Sequence, residues 1–382
     1  MVDEYDVIIV GAGPSGASAA LAARRRGARV LLLDRSDFPR DKACGDGIAP
    51  HAIDVLGELG VIGITDGYPP VPVLRLNGPH GGEVARKHVR PAYTIPRVVF
   101  DARIVEAAVR AGADLRRHGV RVIEETAYRV VVDGRFRAPV LIGADGANSL
   151  VRRTLKMPEN PHGHLALAIR GYAPAVGPVE QHIVTSGESW PAYAWSFPIG
   201  DGRANIGYGE VLRGQDLTRE YLLDRLAALL PTVDTRSATG LRAHHLPLST
   251  HRPPPGRGRL LLVGDALSLI NPFTGEGIFY AVLSGSIAGA TASPVDGDPA
   301  TAYAKALRRR LGRHLRHSRV AAWLSNHPPV VDAAIRAARD RGPVFDDLVE
   351  LGLGEGLLRP RTLASISANL VRVMGAPRTV DR

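Results

Sequence analysis

The chain has 382 residues, 45% of them hydrophobic, which is enough for more than one compact unit. Its single cysteine excludes an internal disulfide and a multi-cysteine zinc site and fits a reducing compartment. The net charge of +10, nearly all from arginine, leaves open a polyanionic partner or a plain arginine-rich residue bias.

The N-terminus, MVDEYD, is acidic, unlike the basic start of a secretory signal. No stretch approaches the ~18 apolar residues of a membrane span. The expectation is a soluble cytoplasmic protein that binds no nucleic acid.

In chain order, Tyr5 to Val10 reads as a buried strand, Ser15 to Arg26 as an Ala-rich helix and Arg29 to Asp34 as a second strand, so the chain opens on a βαβ unit. Ile53 to Leu59 reads as helix. Tyr68 to Pro96 is Pro- and Gly-rich with short strands, and Phe100 to Gly112 is an amphipathic helix. Val120 to Ile142 predicts two strands around a hairpin at Asp133-Gly134. From Leu165 to Glu210 strands and turns alternate, and Leu217 to Leu230 is a helix closed by Pro231. After PPPGRGR come a buried strand, RLLLVGDA, a helix from Gly277 to Ala290 and a helical remainder from Pro299. In the run Lys305 to Arg319, Leu307, Leu311 and Leu315 share one helical face. That pattern suits peripheral contact with the inner face of a membrane, or a packed helix with a solvated basic face.

Three stretches carry chemistry. GAGPSG places Gly11, Gly13 and Gly16 after a strand and at the start of a helix: the first permits the turn, the second lets a diphosphate approach the backbone, and the third lets helix and strand pack. The helix N-terminus then presents free N–H groups to the phosphates. Asp34, at the end of the next strand, is placed to take ribose hydroxyls. The second stretch is LIGADGANSLVRR. The third, LLLVGDALSLINPFTGEGIFYAV, ends a strand at Gly264-Asp265 and opens a helix through Pro272, Gly275 and Gly277. An acid there can hold a polyol and a second helix N-terminus can polarise a ring carbonyl. FAD, unlike NAD, has a ribityl chain, so the combination points to FAD.

These motifs together resemble the FAD-dependent hydroxylase superfamily of the para-hydroxybenzoate hydroxylase type. Three further details, DKACGDG, YAWSFPIGDGRANIGYG and NPFTGEGIFYA, resemble the geranylgeranyl reductase family, over most of residues 5 to 295. The resemblance implies an α/β fold: a discontinuous Rossmann-type FAD-binding domain (1–70, 97–165 and 246–296), an inserted antiparallel-sheet substrate domain (71–96 and 166–245) and a helical C-terminal region (297–382).

It also implies that Ser15, Gly16, Asp34 and Arg35 sit on the ADP half of FAD, that Cys44, Gly45 and Gly47 lie beside the flavin, that Arg97 contacts FAD, that Val122 meets the adenine through its backbone, that Asp265 takes the ribityl chain, and that Gly277 and Ile278 face the isoalloxazine. The family often has Lys after the F-P pair where this chain has Ile199, which puts a diphosphate-bearing substrate in doubt.

Tyr193, Trp195 and Phe197 alternate along a strand and so share one face. They make either the wall of an apolar pocket, able to stabilise positive charge on a substrate, or an ordinary sheet core. His244-His245 lacks a third metal ligand, and Asp346-Asp347 reads as a solvated helix start. Cys44 has three readings: a small residue that fits, a proton donor or substrate-positioning thiol, or a covalent flavin tether. A thiol with a pKa of ~8.5 is mostly protonated at neutral pH.

The first functional reading is FAD-dependent reduction of C=C bonds in an isoprenoid or similarly apolar substrate, with Cys44, Tyr193 and Trp195 as catalytic candidates. FAD is held without a covalent bond, and electrons come from transient NAD(P)H, a ferredoxin or another reduced donor, because the one dinucleotide fingerprint is already assigned. The alternatives are a flavin monooxygenase acting on an aromatic or polyketide intermediate, and a non-catalytic escort of prenylated proteins.

Overall fold

A computed structural model describes residues 2–189, 191–293 and 297–375; the last seven residues of the expected C-terminal region lie outside them. The opening βαβ unit forms as expected. Val7–Val10 and Val30–Asp34, fully apolar but for the final Asp, lie parallel at the centre of a six-stranded sheet, joined by the helix Pro14–Arg25. Their runs of Val, Ile and Leu suit strands covered on both faces. Val140–Gly143 and Leu260–Leu262 extend the sheet on one side and Asp114–Arg117 on the other, all parallel, with Gly256–Arg257 an antiparallel edge. A four-stranded layer, Asp3–Glu4, Phe136–Ala138, Val130–Val132 and Ile123–Glu125, flanks it. The hairpin at Asp133-Gly134 has both residues at positive φ (50° and 63°), the backbone that a tight two-residue turn demands.

The helix Ile278–Thr291 crosses the helix Pro14–Arg25 at close range. A Cβ on Gly285 would stand 2.0 Å from the Ser15 carbonyl oxygen, and one on Gly289 would stand 2.1 Å from that of Ala19. These glycines set how closely the two helices approach, and both helices begin at glycine turns that open on the same cavity.

The second large sheet has eight strands in the order Thr239–Pro247, Leu165–Pro174, Arg203–Val211, Ala192–Pro198, Glu180–Thr185, Pro70–Asn77, Glu83–Thr94 and Gly47–Ile48. All pairings are antiparallel except that of Glu180–Thr185 with Pro70–Asn77. Its last strand is a departure from the expected division: Gly47–Ile48, inside the segment assigned to the nucleotide domain, pairs with Tyr93 and Thr94. The Asp41–Pro50 stretch is therefore stitched to the substrate sheet. Asn205, Gly207 and Gly209 lie within the strand Arg203–Val211.

The remainder is helical: Pro299–Leu324, Pro328–Asp340, Gly342–Leu353 and Pro360–Gly375. Proline in the first turn suits helix entry, where its missing N–H is not needed. Leu307, Leu311 and Leu315 are at most 8% exposed and belong to the main core, so the apolar stripe of the first of these helices is committed to packing. Asp346-Asp347 is not a solvated pair. Asp347 is buried and takes hydrogen bonds from Arg361 (2.6 Å) and Thr362 (2.6 Å). Among the described residues, no helix is long and apolar enough to cross a membrane.

Candidate active site

One cavity of about 1190 Å³ lies between the two sheets and under the C-terminal helices. One end is polar. Gly11, Gly13 and Ser15 line it at the glycine turn, with Asp34, Arg35, Asp145 and Asp265. Gly11 has φ 98°, and a Cβ there would stand 2.3 Å from the Ala144 oxygen, so only glycine fits. Gly16 does not reach the cavity; a Cβ on it would stand 1.8 Å from the Gly11 oxygen, which is the expected helix-to-strand contact. Asp34 braces the turn by accepting the Ala12 N–H at 2.8 Å.

The helix Pro14–Arg25 has no side-chain cap, so its first N–H groups are left open toward the cavity, whereas the Glu276 carboxylate covers the first turn of Ile278–Thr291. The Asp265 carboxylate and the Lys42 ammonium both line this space, and neither has a hydrogen-bond or ion-pair partner among the described residues. Burial holds the lysine below its ordinary pKa, partly countered by the charge of Asp265.

The Cys44 turn and the aromatic strand meet in the middle. Tyr193, Trp195 and Phe197 all face the cavity, as the alternation predicts, while Ala194 packs on the opposite side in a core with Ile206, Tyr208 and Leu222. The aromatic face is the cavity wall, and the sheet core is built from the alanine face. Gly207 makes room for the indole: a Cβ there would stand 2.1 Å from Trp195. The indole N–H donates to Asn205 Oδ1 at 2.9 Å. Gly45 and Gly47 line the cavity and also pack against the aromatic wall, with Cβ positions 3.3 Å from Trp195 Nε1 and 3.3 Å from Phe197 Cε2.

Cys44 is half-buried beside Arg97, whose guanidinium is clamped by Asp101 at 2.5 and 2.8 Å. Burial pushes the thiol pKa up and Asp46 adds to this, while Arg97 pulls it down; the net direction is up. The Tyr193 hydroxyl donates to the Thr274 carbonyl at 2.6 Å, and burial raises its pKa.

Pro272, Gly275, Gly277 and Ile278 line the same region, with Glu276 between them. Burial pushes the Glu276 carboxyl up to about 7, although it accepts the Phe279 N–H at 2.7 Å. Beyond the aromatic wall the cavity turns apolar, lined by Leu74, Ile183, Val331, Ile335, Phe345 and Leu370 among others.

Residues 4–171 match the FAD binding domain family. A menaquinone reductase of Mycolicibacterium smegmatis is 33% identical over 309 residues, covering 74% of this chain and 75% of that protein. Digeranylgeranylglycerophospholipid reductase 1 of Methanopyrus kandleri is 33% identical over 312 residues, covering 76% and 80%. The chain belongs to the geranylgeranyl reductase family of FAD-dependent oxidoreductases. Its fold matches the crystal structure of a geranylgeranyl bacteriochlorophyll reductase-like protein from Thermoplasma acidophilum with a TM-score of 0.80 at 21% identity, covering 97% and 98% of the two chains.

The reductase therefore carries a para-hydroxybenzoate hydroxylase-like FAD-binding fold, and it is an enzyme, which removes the escort reading. Val122 lies at an adjoining opening that shares Arg35, His118 and Gly119 with the main cavity, and its N–H and carbonyl are both bonded to Asp133, at 2.7 and 3.0 Å.

Sequence reasoning also passed over Arg40, Lys42, Asp46, Gln181, His244 and Glu276, all of which line the cavity. His244 is no isolated structural histidine. Its ring is held below the ordinary range, to about 4, by burial first and then by the charge of Lys42. The D-K-x-C-x-D spacing put Lys42 and Asp46 beside Cys44 in plain view, but a lysine and an aspartate in a turn read as solvated.

Proposed function

We propose that this reductase saturates C=C bonds of an isoprenoid or similarly apolar substrate. The observation that carries this reading is the continuity of one large cavity. It joins the uncapped glycine turn to an apolar arm and passes the Cys44 turn and three aromatic side chains on the way. The names of the relatives, which act on menaquinone and on digeranylgeranylglycerophospholipid, support it.

The residues fit FAD. The N–H groups of Gly13 and Ser15 would face its diphosphate, with Gly11, whose own N–H is bonded to the Leu33 carbonyl, and Gly16 keeping turn and helix close, and Lys42 supplying the charge that has no protein partner. Asp34 and Arg35 would take the adenosine ribose, near Val120 and Val122. Asp265 would take the ribityl hydroxyls, Arg97 would brace the ring side, and Pro272, Gly275, Gly277 and Ile278 would hold the ring, beside Gly45 and Gly47. When bound and reduced, FAD supplies the hydride for one alkene carbon.

Cys44 Sγ holds the proton for the other carbon. Transfer leaves a thiolate beside Arg97, which offsets the new charge, and solvent restores the proton. Tyr193, Trp195 and Phe197 exclude water and turn ring faces toward the positive charge that protonation builds on the substrate. The electron pair comes from a transient donor, NAD(P)H or a ferredoxin. The test is anaerobic: the reduced enzyme should recover its oxidised flavin spectrum on addition of a polyprenyl substrate, whereas recovery only when oxygen is admitted would favour hydroxylation.

The membrane contact in this reading is electrostatic. With its leucine stripe committed to the core, the helix Pro299–Leu324 offers Arg308, Arg309, Arg313, Arg316 and Arg319 to solvent. Charges of this kind favour anionic headgroups at the inner membrane face. The protein should co-sediment with vesicles rich in anionic lipid at low salt and be released at high salt. Absence of binding at low salt would remove the membrane from the reading.

A further inference from the structure

Asp46 is the one fully buried charged residue of the Asp41–Pro50 stretch, with a backbone in the left-handed region (φ 59°) that is uncommon for aspartate. This conformation has two consequences. It turns the Asp46 N–H onto Cys44 Sγ, 3.4 Å away, and it sends the carboxylate inward, where Oδ2 accepts the Tyr172 hydroxyl at 2.6 Å and the Asn205 amide at 2.8 Å. Oδ1 accepts the Arg97 N–H at 3.3 Å. The same Asn205 amide donates to the Cys44 carbonyl at 2.9 Å, and its oxygen takes the Trp195 indole N–H. A chain of hydrogen bonds thus ties the thiol-bearing turn to the aromatic wall through one carboxylate.

Geometry asks for two acceptor oxygens here, because the NH2 of an asparagine would face a donor such as the Arg97 backbone N–H, yet a buried carboxylate without an ion pair is costly. Among the described residues no Lys or Arg comes within ion-pair distance of Asp46. Arg97 is bound to Asp101 and Arg170 to Asp41, so both act on it only at longer range. What an aspartate adds is negative charge next to Cys44.

We propose that Asp46 is the positioning residue of the thiol: it fixes Cys44 against the aromatic wall and keeps the proton on Sγ against the pull of Arg97. Other charged or titratable groups around the turn act as a constant background. Arg97 and Asp101 approach from one helix, Arg170 and Tyr172 from one strand, and Tyr193 and Glu276 from the ring side. Burial pushes Asp46 up to about 6, with Tyr172 and Asn205 opposing the rise. It is therefore mostly ionised at neutral pH, where its charge opposes thiolate formation, and it loses that charge as the pH falls through 6. Proton transfer to a substrate leaves the thiolate next to Arg97, the group placed to receive it. The inference rests on Cys44 as the proton-holding group, and its test needs no substrate, so it stands or falls apart from the choice of isoprenoid.

The single cysteine makes the test direct. In FAD-loaded protein labelled with carbon-13 at cysteine Cβ, one resonance reports the titration of Cys44. Asp46→Asn should lower the midpoint by about one unit, a roughly tenfold larger thiolate fraction at a given pH below it. Tyr172→Phe, whose Asp46 carboxylate is still ionised at the alkaline pH where the thiol titrates, should leave the midpoint in place. A lowered midpoint in Asp46→Asn with flavin content unchanged would support the assignment. An unmoved or raised midpoint in Asp46→Asn overturns it; if that variant does not hold FAD, an unmoved midpoint in Asp46→Ser does the same.

Discussion

Cys44→Ala should retain its yellow flavin and its melting temperature while losing turnover by roughly 10²–10⁴-fold, the range of a positioned general acid. The side chain accepts one weak bond, from Asp46 N–H at 3.4 Å, and is only half-buried, so its removal costs little in packing. The anchors of the turn are elsewhere: Arg170 on Asp41, Tyr172 and Asn205 on Asp46, and the Gly47–Ile48 strand on Thr94 and Tyr93. Chemistry and architecture are therefore separable at this position. Cys44→Ser should behave like the alanine variant, because a hydroxyl with a far higher pKa beside Arg97 is a poor acid. Steady-state rates with flavin absorbance and thermal melts for both variants check this. Turnover within threefold of wild type in both would reduce Cys44 to a small residue that fits.

Gly285→Val should lose roughly 3 kcal/mol, the upper end of overpacking effects, and part of its affinity for FAD. The position is not in any motif. Its Cβ would stand 2.0 Å from the Ser15 oxygen, and Ser15 belongs to the first turn of the helix at the glycine fingerprint. Relief requires one helix to move, and each carries an edge of the cavity. A fall in melting temperature of roughly 3–5 °C and a lower flavin-to-protein ratio are the expected readouts. Gly57→Ala is the matched control: it lies within the helix Pro50–Glu58 with nothing within 4 Å of its Cβ position, and alanine should stabilise it by up to about 1 kcal/mol. Equal effects at the two positions would mean that close helix approach is not what Gly285 provides.

The glycine turn was legible because local chemistry dictates it: a buried strand, glycines where backbone meets backbone, a helix start and an acid at the next strand end. The aromatic face was legible for a similar reason, since alternation along a strand needs no knowledge of the partner strands. What escaped depended on distant segments. Nothing near Gly285 announces the Ser15 carbonyl, and nothing near Gly45 announces the Trp195 indole. The bonds that hold Val122 come from Asp133 across the hairpin, which no local pattern shows. The leucine stripe of Lys305 to Arg319 has the pattern of a membrane-surface helix and of a packed one, and only tertiary contacts separate the two. Asp46 was hidden most completely. A polar residue between glycines reads as the apex of an exposed turn, yet it is fully buried.

The most direct measurement is the mass of the product formed from a panel of polyprenyl substrates under anaerobic turnover with dithionite as reductant. A gain of two hydrogens per double bond, with one deuterium carried in from deuterium oxide in wild type and the product lost in Cys44→Ala, is the predicted result. No mass gain without oxygen, and an added oxygen atom when it is admitted, would contradict saturation and make the chain a hydroxylase.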